Sequence, residues 1–144
     1  MATVQRFEEL EVWQLSRELS KKIFEETKKG MLSKDFELKN QMNRATGSMM
    51  DNTAEGFGRK SRLEFVQFLG ISNGSGNELQ SQIYRCFDRE YFSKETFDEH
   101  YELTDKTCGK ISRFMKYLNT TLIKGEKFKD RINDKKNDGP SRSK

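Results

Sequence analysis

The sequence predicts an all-α fold, an antiparallel up-down four-helix bundle, and three observations predict it. A single proline stands among 144 residues, and proline is the strongest helix breaker. Charged residues make up 35% of the chain and hydrophobic ones 33%, a balance rich in good helix formers. Apolar side chains recur at i, i+3/i+4 spacing in four stretches joined by short connections, and no alternating strand pattern competes.

In the first stretch Val12, Ser16, Leu19, Ile23 and Thr27 share a face, with Trp13, Ser20 and Phe24 beside them. Lys28, Lys29 and Gly30 end it, since cations suit the C-terminal dipole and glycine the left-handed cap. The pairs Glu18–Lys22 and Glu25–Lys29 stabilise the exposed side. The second helix is expected from about Asp35 to Glu55, with Leu38, Gln41, Met42, Ala45, Ser48, Met49 and Asn52 inward. Its three polar members need partners, because an unpaired buried amide costs about 1–3 kcal/mol.

The corner reads NTAEGFGRKSRLEF, Asn52 to Phe65. Gly56 and Gly58 are expected at positive φ, where a helix ends and turns. Ser61 then caps the third helix with Glu64 at N3, a capping box, and Phe57 packs over the joint. Glu55 opposes the macrodipole in the last turn of its helix and calls for Arg59 or Arg44 as partner. The third helix is expected from about Arg62 to Arg89, with Phe65, Phe68, Ser72, Gly76, Leu79, Ile83 and Cys86 inward. Gly70, Gly74 and Gly76 fall in mid-helix, where each costs about 1 kcal/mol against alanine. Close approach of another helix offsets that, and Gly70 with Gly74 offers a face for it, in the same chain or another; Glu78 continues that face. The fourth helix is expected from about Lys94 to Leu122, with Leu103, Thr107, Ile111, Phe114, Leu118 and Leu122 inside.

The length suits one domain with a real core, expected over residues 1–123. Of the 27 Lys and Arg and the 23 Asp and Glu, residues 124–144 hold eight and four, so this basic, polar C-terminal tail carries the whole formal charge of +4. With Phe128 and Ile132 as its large apolar residues it cannot fold alone. It solubilises, or it meets phosphate or an acidic partner. No run of about 18 apolar residues exists, which argues against a membrane span, and MATVQRFEELEVW lacks an apolar signal-peptide core. The expectation is a cytoplasmic protein whose Cys86 and Cys108 are reduced thiols in the core.

Enzyme chemistry finds little footing. His100, the single histidine, has no HxxxH, ExxH or CxxC companion, so a metal site lacks ligands of the usual spacing, and it reads as a polar helix residue. There is no GxxxxGKS, and no cofactor is expected. Binding chemistry fares better. Lys106, Lys110, Arg113 and Lys116 form a stripe opposite the apolar face of the fourth helix, the corner offers Arg59, Lys60 and Arg62, and the third helix offers Arg85 and Arg89. Such a stripe is commonly a solvated face, and its one-sidedness favours phosphate contact. No RNA-binding aromatic motif is present, so selectivity falls to shape or to a protein partner.

The segment NQMNRATGSMMDNTAEGFGRKSRLEFVQFLGISNGSGNEL resembles the signature of the bacterial four-helix-bundle proteins encoded in 23S ribosomal RNA intervening sequences, relatives of the accessory variability determinants (Avd) of diversity-generating retroelements. The matching positions include Gln41, Arg44, Ser48, Asn52, Glu55, Gly56, Gly58, Arg59, Ser61, Glu64, Gly74, Ser75 and Glu78, and the resemblance extends over roughly residues 10 to 122. SMMDNTAEG departs from the small or aliphatic residues usual there, Asp51 above all, and the basic tail lies outside the pattern. The resemblance implies a homopentameric ring with a central channel. It implies a nucleic-acid-binding accessory role, with a reverse transcriptase as partner in the Avd branch, and no enzyme activity. The expectation is therefore a non-enzymatic oligomeric accessory protein on RNA or DNA backbone; the alternative is a structural or protein-interaction scaffold without a direct nucleic-acid role.

Overall fold

The computed structural model describes residues 3–135, with side chains described through residue 121. It is all-α: α1 spans Glu11–Glu26, α2 Phe36–Gly58, α3 Arg62–Asp88 and α4 Lys94–Lys135, with short 3₁₀ turns at Phe7–Glu9 and Gly30–Lys34. Each helix packs against its neighbours in sequence, and α1 closes onto α4. The packed pairs run antiparallel. On α1 and α4, Glu11 meets Lys110 while Lys22 meets Glu99. On α2 and α3, Gln41 meets Arg85 while Thr53 meets Ser72. On α3 and α4, Asn73 meets Ser112 while Gln80 meets Asp105. No helix among the described residues is long and apolar enough to cross a membrane.

The core is aliphatic and thioether: Leu19, Ile23, Leu38, Met42, Met49, Leu69, Leu79, Ile83 and Ile111 are fully enclosed. Each such side chain contributes about 1.5–3 kcal/mol by leaving water. The buried arcs are wider than the expected stripes. On α3 Leu69 is fully enclosed and Phe68 only half-buried, and on α4 Phe97, His100 and Thr104 are buried while Leu103 and Phe114 are half-buried. Each of these helices packs on two neighbours, so its covered surface exceeds a single stripe.

A hydroxyl layer crosses the α2–α3 seam. Thr53 Oγ1 donates to Met49 O at 2.8 Å, Ser72 Oγ reaches the same carbonyl at 2.9 Å, and the two hydroxyls lie 3.0 Å apart. Ser75 Oγ donates to Ser48 Oγ at 2.8 Å, and Asn52 Nδ2 donates to Ser48 O and Oγ, each at 2.9 Å. Asn52, expected inward and in need of partners, thus satisfies its amide within its own helix and sits half-buried.

The corner departs from expectation in two respects. Gly56 and Gly58 are not at positive φ; both belong to α2, and the left-handed residue is Lys60, at φ 57°. Gly56 serves packing instead: a Cβ there would lie 2.7 Å from Phe68 Cβ and 3.0 Å from Phe65 Cδ1. Ser61 caps α3, accepting from the Glu64 N–H at 3.2 Å. The reciprocal half of the capping box is not formed; the Glu64 carboxylate turns to Arg59, at 3.7 Å. Glu55 finds its partner in Arg59, 3.0 Å away, rather than in Arg44.

The mid-helix glycines divide. Gly76 is tightly packed, whereas Gly74 is exposed with open space around it and Gly70 meets only Met115 Cε, at 3.6 Å. The Gly70–Gly74 face therefore receives no helix within the described residues. The fourth helix runs on past Leu122 to Lys135, into the segment expected as tail; residues 136–144 lie outside the described residues.

Candidate nucleic-acid interface

The nine basic residues singled out from sequence do not form one patch: Arg85 and Arg89 lie at one end of the bundle, Arg59, Lys60 and Arg62 at the other, and Lys106, Lys110, Arg113 and Lys116 along α4 between them. Arg85 and Arg89 sit at the C-terminal end of α3, roughly 35–40 Å along that helix from Arg62 at 1.5 Å per residue, and both are engaged. Arg89 donates to Asp35 Oδ2 at 2.7 Å, and Tyr91 Oη donates to the same oxygen at 2.8 Å. Asp35 Oδ1 meanwhile accepts from the Leu38 N–H at 3.2 Å and caps α2. The Tyr91 hydroxyl, the Leu38 amide and the Arg89 guanidinium hold the Asp35 carboxyl below its ordinary range. The Tyr91 phenol is correspondingly raised, chiefly by the same hydrogen bond. Arg89 therefore works as a structural tie between the α3 terminus and the α2 start.

Arg85 donates to Gln41 Oε1 at 3.2 Å. It lines a polar groove of about 520 Å³ between α2 and α3 together with Arg44, Ser48, Ser75 and Glu78. Gln41, Arg44, Ser48, Ser75 and Glu78, dispersed over nearly forty positions of the signature, thus converge on one surface. Only the pairing of α2 with α3 assembles them.

The other end holds the corner cations, and the α4 stripe approaches it from mid-bundle, with Lys106 nearest the Arg85 end, next to the Asp105 that meets Gln80. Lys60 and Arg62, at the α2–α3 corner, open on a recess of about 680 Å³ whose apolar wall includes Phe57, Phe65, Phe114 and Tyr117. A second recess of about 370 Å³ is lined by Lys110 and Arg113 together with the acids Glu9 and Glu11, and shares Val4, Leu10 and Phe114 with the first. Lys106, Arg113 and Lys116 are exposed along α4. Two acids of this end are already engaged, Glu11 with Lys110 at 3.5 Å and Glu64 with Arg59. Among the described residues Lys60, Arg62, Lys106, Arg113 and Lys116 form no ion pair. Arg59, by contrast, is held by both Glu55 and Glu64.

Sequence reasoning missed the aromatic component of this end. Tyr117 lies on the helical face of Lys106, Lys110 and Arg113, at i+4 from Arg113, and is 57% exposed. Its ring is near-parallel to Phe114, at 6.4 Å and 14°. That i+4 spacing is visible in the sequence; the recess beside it is not.

The single histidine and both cysteines are enclosed. His100, expected as a polar helix residue, is 1% exposed. Its Nε2 lies 3.0 Å from Glu26 Oε2 and its ring packs on Phe92, at 5.6 Å. Glu26, from the last turn of α1, supplies the partner that makes this burial tolerable. Cys86 and Cys108 are free and buried; burial pushes their thiols up to about 12 and about 11, with the charge of Asp35 adding to the first and that of Asp105 to the second.

The described residues thus form a helical bundle with an enclosed aliphatic core and with cations and aromatic side chains together at one corner. Residues 8–113 match the family described as 23S rRNA-intervening sequence protein, and the chain belongs to that family. A search of curated proteins finds no match.

Proposed function

We propose that this protein is a non-enzymatic, oligomeric accessory protein that grips nucleic acid through phosphate contacts at the basic end of the bundle. The observation that carries the reading is the convergence of Lys60 and Arg62 from the corner with Lys110 and Arg113 from α4 on two adjoining recesses. Cations grouped in this way neutralise several phosphates at once and release their counterions, which gives affinity without base reading. The enclosure of His100 and of both thiols supports a role without catalysis. The reading includes a homopentamer, carried over from the family resemblance, and service beside a reverse transcriptase, carried over from its Avd branch; the cytoplasm is the compartment expected from the sequence. In a ring each basic end would repeat about the axis and multiply the contacts.

One observation favours the scaffold reading as well. Leu63 and Ile71 are 55% and 52% exposed on the outer face of α3, in line with Gly74, and a second copy of the chain docking there would cover them. In that case Gly74→Leu lowers the oligomer mass measured by light scattering; an unchanged mass removes this face from the assembly.

The test of the main reading is fluorescence anisotropy of the full chain with a structured RNA and a duplex DNA across salt. Binding is expected at micromolar concentration or tighter, with a steep salt slope. Lys60→Glu with Arg62→Glu, and Lys110→Glu with Arg113→Glu, should each weaken binding and flatten the slope by about one for every phosphate no longer neutralised. No binding at low salt overturns the reading.

A further inference from the structure

We infer that the corner recess receives an unstacked nucleobase, so that the protein selects single-stranded over duplex nucleic acid. This rests on the phosphate-binding reading above and names its substrate class.

Four aromatic side chains form a connected series at the corner. Phe57 meets Phe65 edge-on at 6.0 Å, Phe65 meets Phe114 edge-on at 5.4 Å and 90°, and Phe114 lies near-parallel to Tyr117. The series runs from the enclosed Phe65, 9% exposed, outward to Tyr117, 57% exposed. Each ring is braced by the one beneath, so the outermost is held by the core rather than by solvent. A lone exposed tyrosine is ordinary on a protein surface. Tyr117 differs in bordering a recess of about 680 Å³, inside the usual size range of ligand sites of roughly 300–1,000 Å³.

Charge identifies the occupant. The wall is apolar and aromatic, yet Lys60 and Arg62 stand at the recess and Arg113 lies one helical turn before Tyr117 on α4. A ligand matching both features joins a flat apolar ring to an anionic group. A nucleotide within a strand does so, with the base against Tyr117 and its phosphates toward the cations. Ser61 is the one uncharged hydrogen-bonding side chain beside the aromatic wall other than Thr3 and Tyr117 itself, so the recess is poor in groups that would tell one base from another. Aromatic stacking is likewise tolerant of sequence, because every base presents a π-face. In a duplex each base is already stacked on its neighbours and paired, and its faces cannot reach a side chain without being extruded. The cations would still hold a duplex, but without the stacking contribution.

The experiment uses the full chain, a labelled oligothymidine strand, a labelled duplex of the same length, and a strand carrying 2-aminopurine, whose fluorescence reports stacking. The strand should bind at least tenfold more tightly than the duplex at equal salt, with 2-aminopurine quenched on binding. Tyr117→Ala should weaken strand binding by on the order of tenfold, abolish the quench, and leave duplex affinity and the salt slope unchanged. Tyr117→Phe should behave as the parent. Because Tyr117 is largely exposed, circular dichroism should find both variants folded. Equal affinity for strand and duplex together with an inert Tyr117→Ala overturns the inference while leaving the phosphate-binding reading standing. Absence of binding to either probe at low salt overturns both.

Discussion

Gly76 of α3 faces Cys108 of α4 so closely that no β-carbon fits between them. A Cβ at position 76 would collide with Cys108 Sγ and come within 3.1 Å of Met49 Cε. The thiol and the thioether of two different helices fill the space that the glycine leaves, which lets α2, α3 and α4 approach at one point. The helix-propensity loss of about 1 kcal/mol at a mid-helix glycine is offset by this packing.

Gly76→Ala is therefore expected to destabilise the fold by up to about 2 kcal/mol, the overpacking cost of about 1–3 kcal/mol less the gain of about 1 kcal/mol in propensity. Adding Cys108→Ala should recover part of the loss. Gly74→Ala, at a site with open space around it, should stabilise the protomer by about 0.5–1 kcal/mol. Urea denaturation followed by circular dichroism measures all three.

The hydroxyl layer yields a second prediction. Thr53 and Ser72 each possess one proton and both approach Met49 O, so their mutual contact at 3.0 Å shares a donor with those bonds. Thr53→Val keeps the shape, removes one hydroxyl and leaves Ser72 its carbonyl. A loss of about 1 kcal/mol is expected and is read from the urea midpoint. A loss several times larger would mean that Ser72 has no alternative partner.

Asp35 sets an acid limit. Its carboxyl is held below the ordinary range by Tyr91 first, then by the Leu38 amide and Arg89. Its folded-state value lies under that of the unfolded chain. Its contribution is thus complete above the unfolded carboxylate value of about 3.9 and disappears as pH falls through the folded value. Asp35→Asn should be less stable than the parent at pH 7 and should lose less stability between about pH 4 and pH 2. Parallel decline of the two proteins over that range would refute this role.

The thiols should be silent in the native protein. The thiolate is the reactive form, and values of about 12 for Cys86 and about 11 for Cys108 leave well under one per cent of it at pH 8. Ellman's reagent should react slowly with the native chain and promptly with both cysteines in urea. Prompt native reaction at either residue would show that the core opens there.

The helices, the Ser61 cap and the Glu55–Arg59 pair are legible in the sequence because each depends on residues within one turn of one another. The left-handed residue at the corner is not, because glycine's conformational freedom and its small size give the same letter; at Gly56 size decides, and Lys60 takes the turn. The burial of His100 is hidden because Glu26, which lies 74 positions earlier, meets it only when α1 packs on α4. Composition finds the cations, but not which of them are engaged, since Asp35 reaches Arg89 across the whole of α2 and α3. Tyr117 escapes notice because exposure, which gives it meaning, is a property of the neighbours and not of the residue.

The hydroxyl layer has a consequence for precision. A purely aliphatic seam between two helices is forgiving, and a slip of one turn exchanges one set of greasy contacts for another. The hydroxyls of Ser72 and Ser75 have no such freedom, because they bond to Met49 O and Ser48 Oγ on α2 and a slipped register would take those partners away. They act as a surveyor's datum for the bundle. Arg62 stands about 15 Å along α3 from Ser72 at 1.5 Å per residue, and its height relative to Phe57 and Lys60 is read from that mark. The alignment of the cationic corner is thus set deep in the molecule, out of reach of solvent.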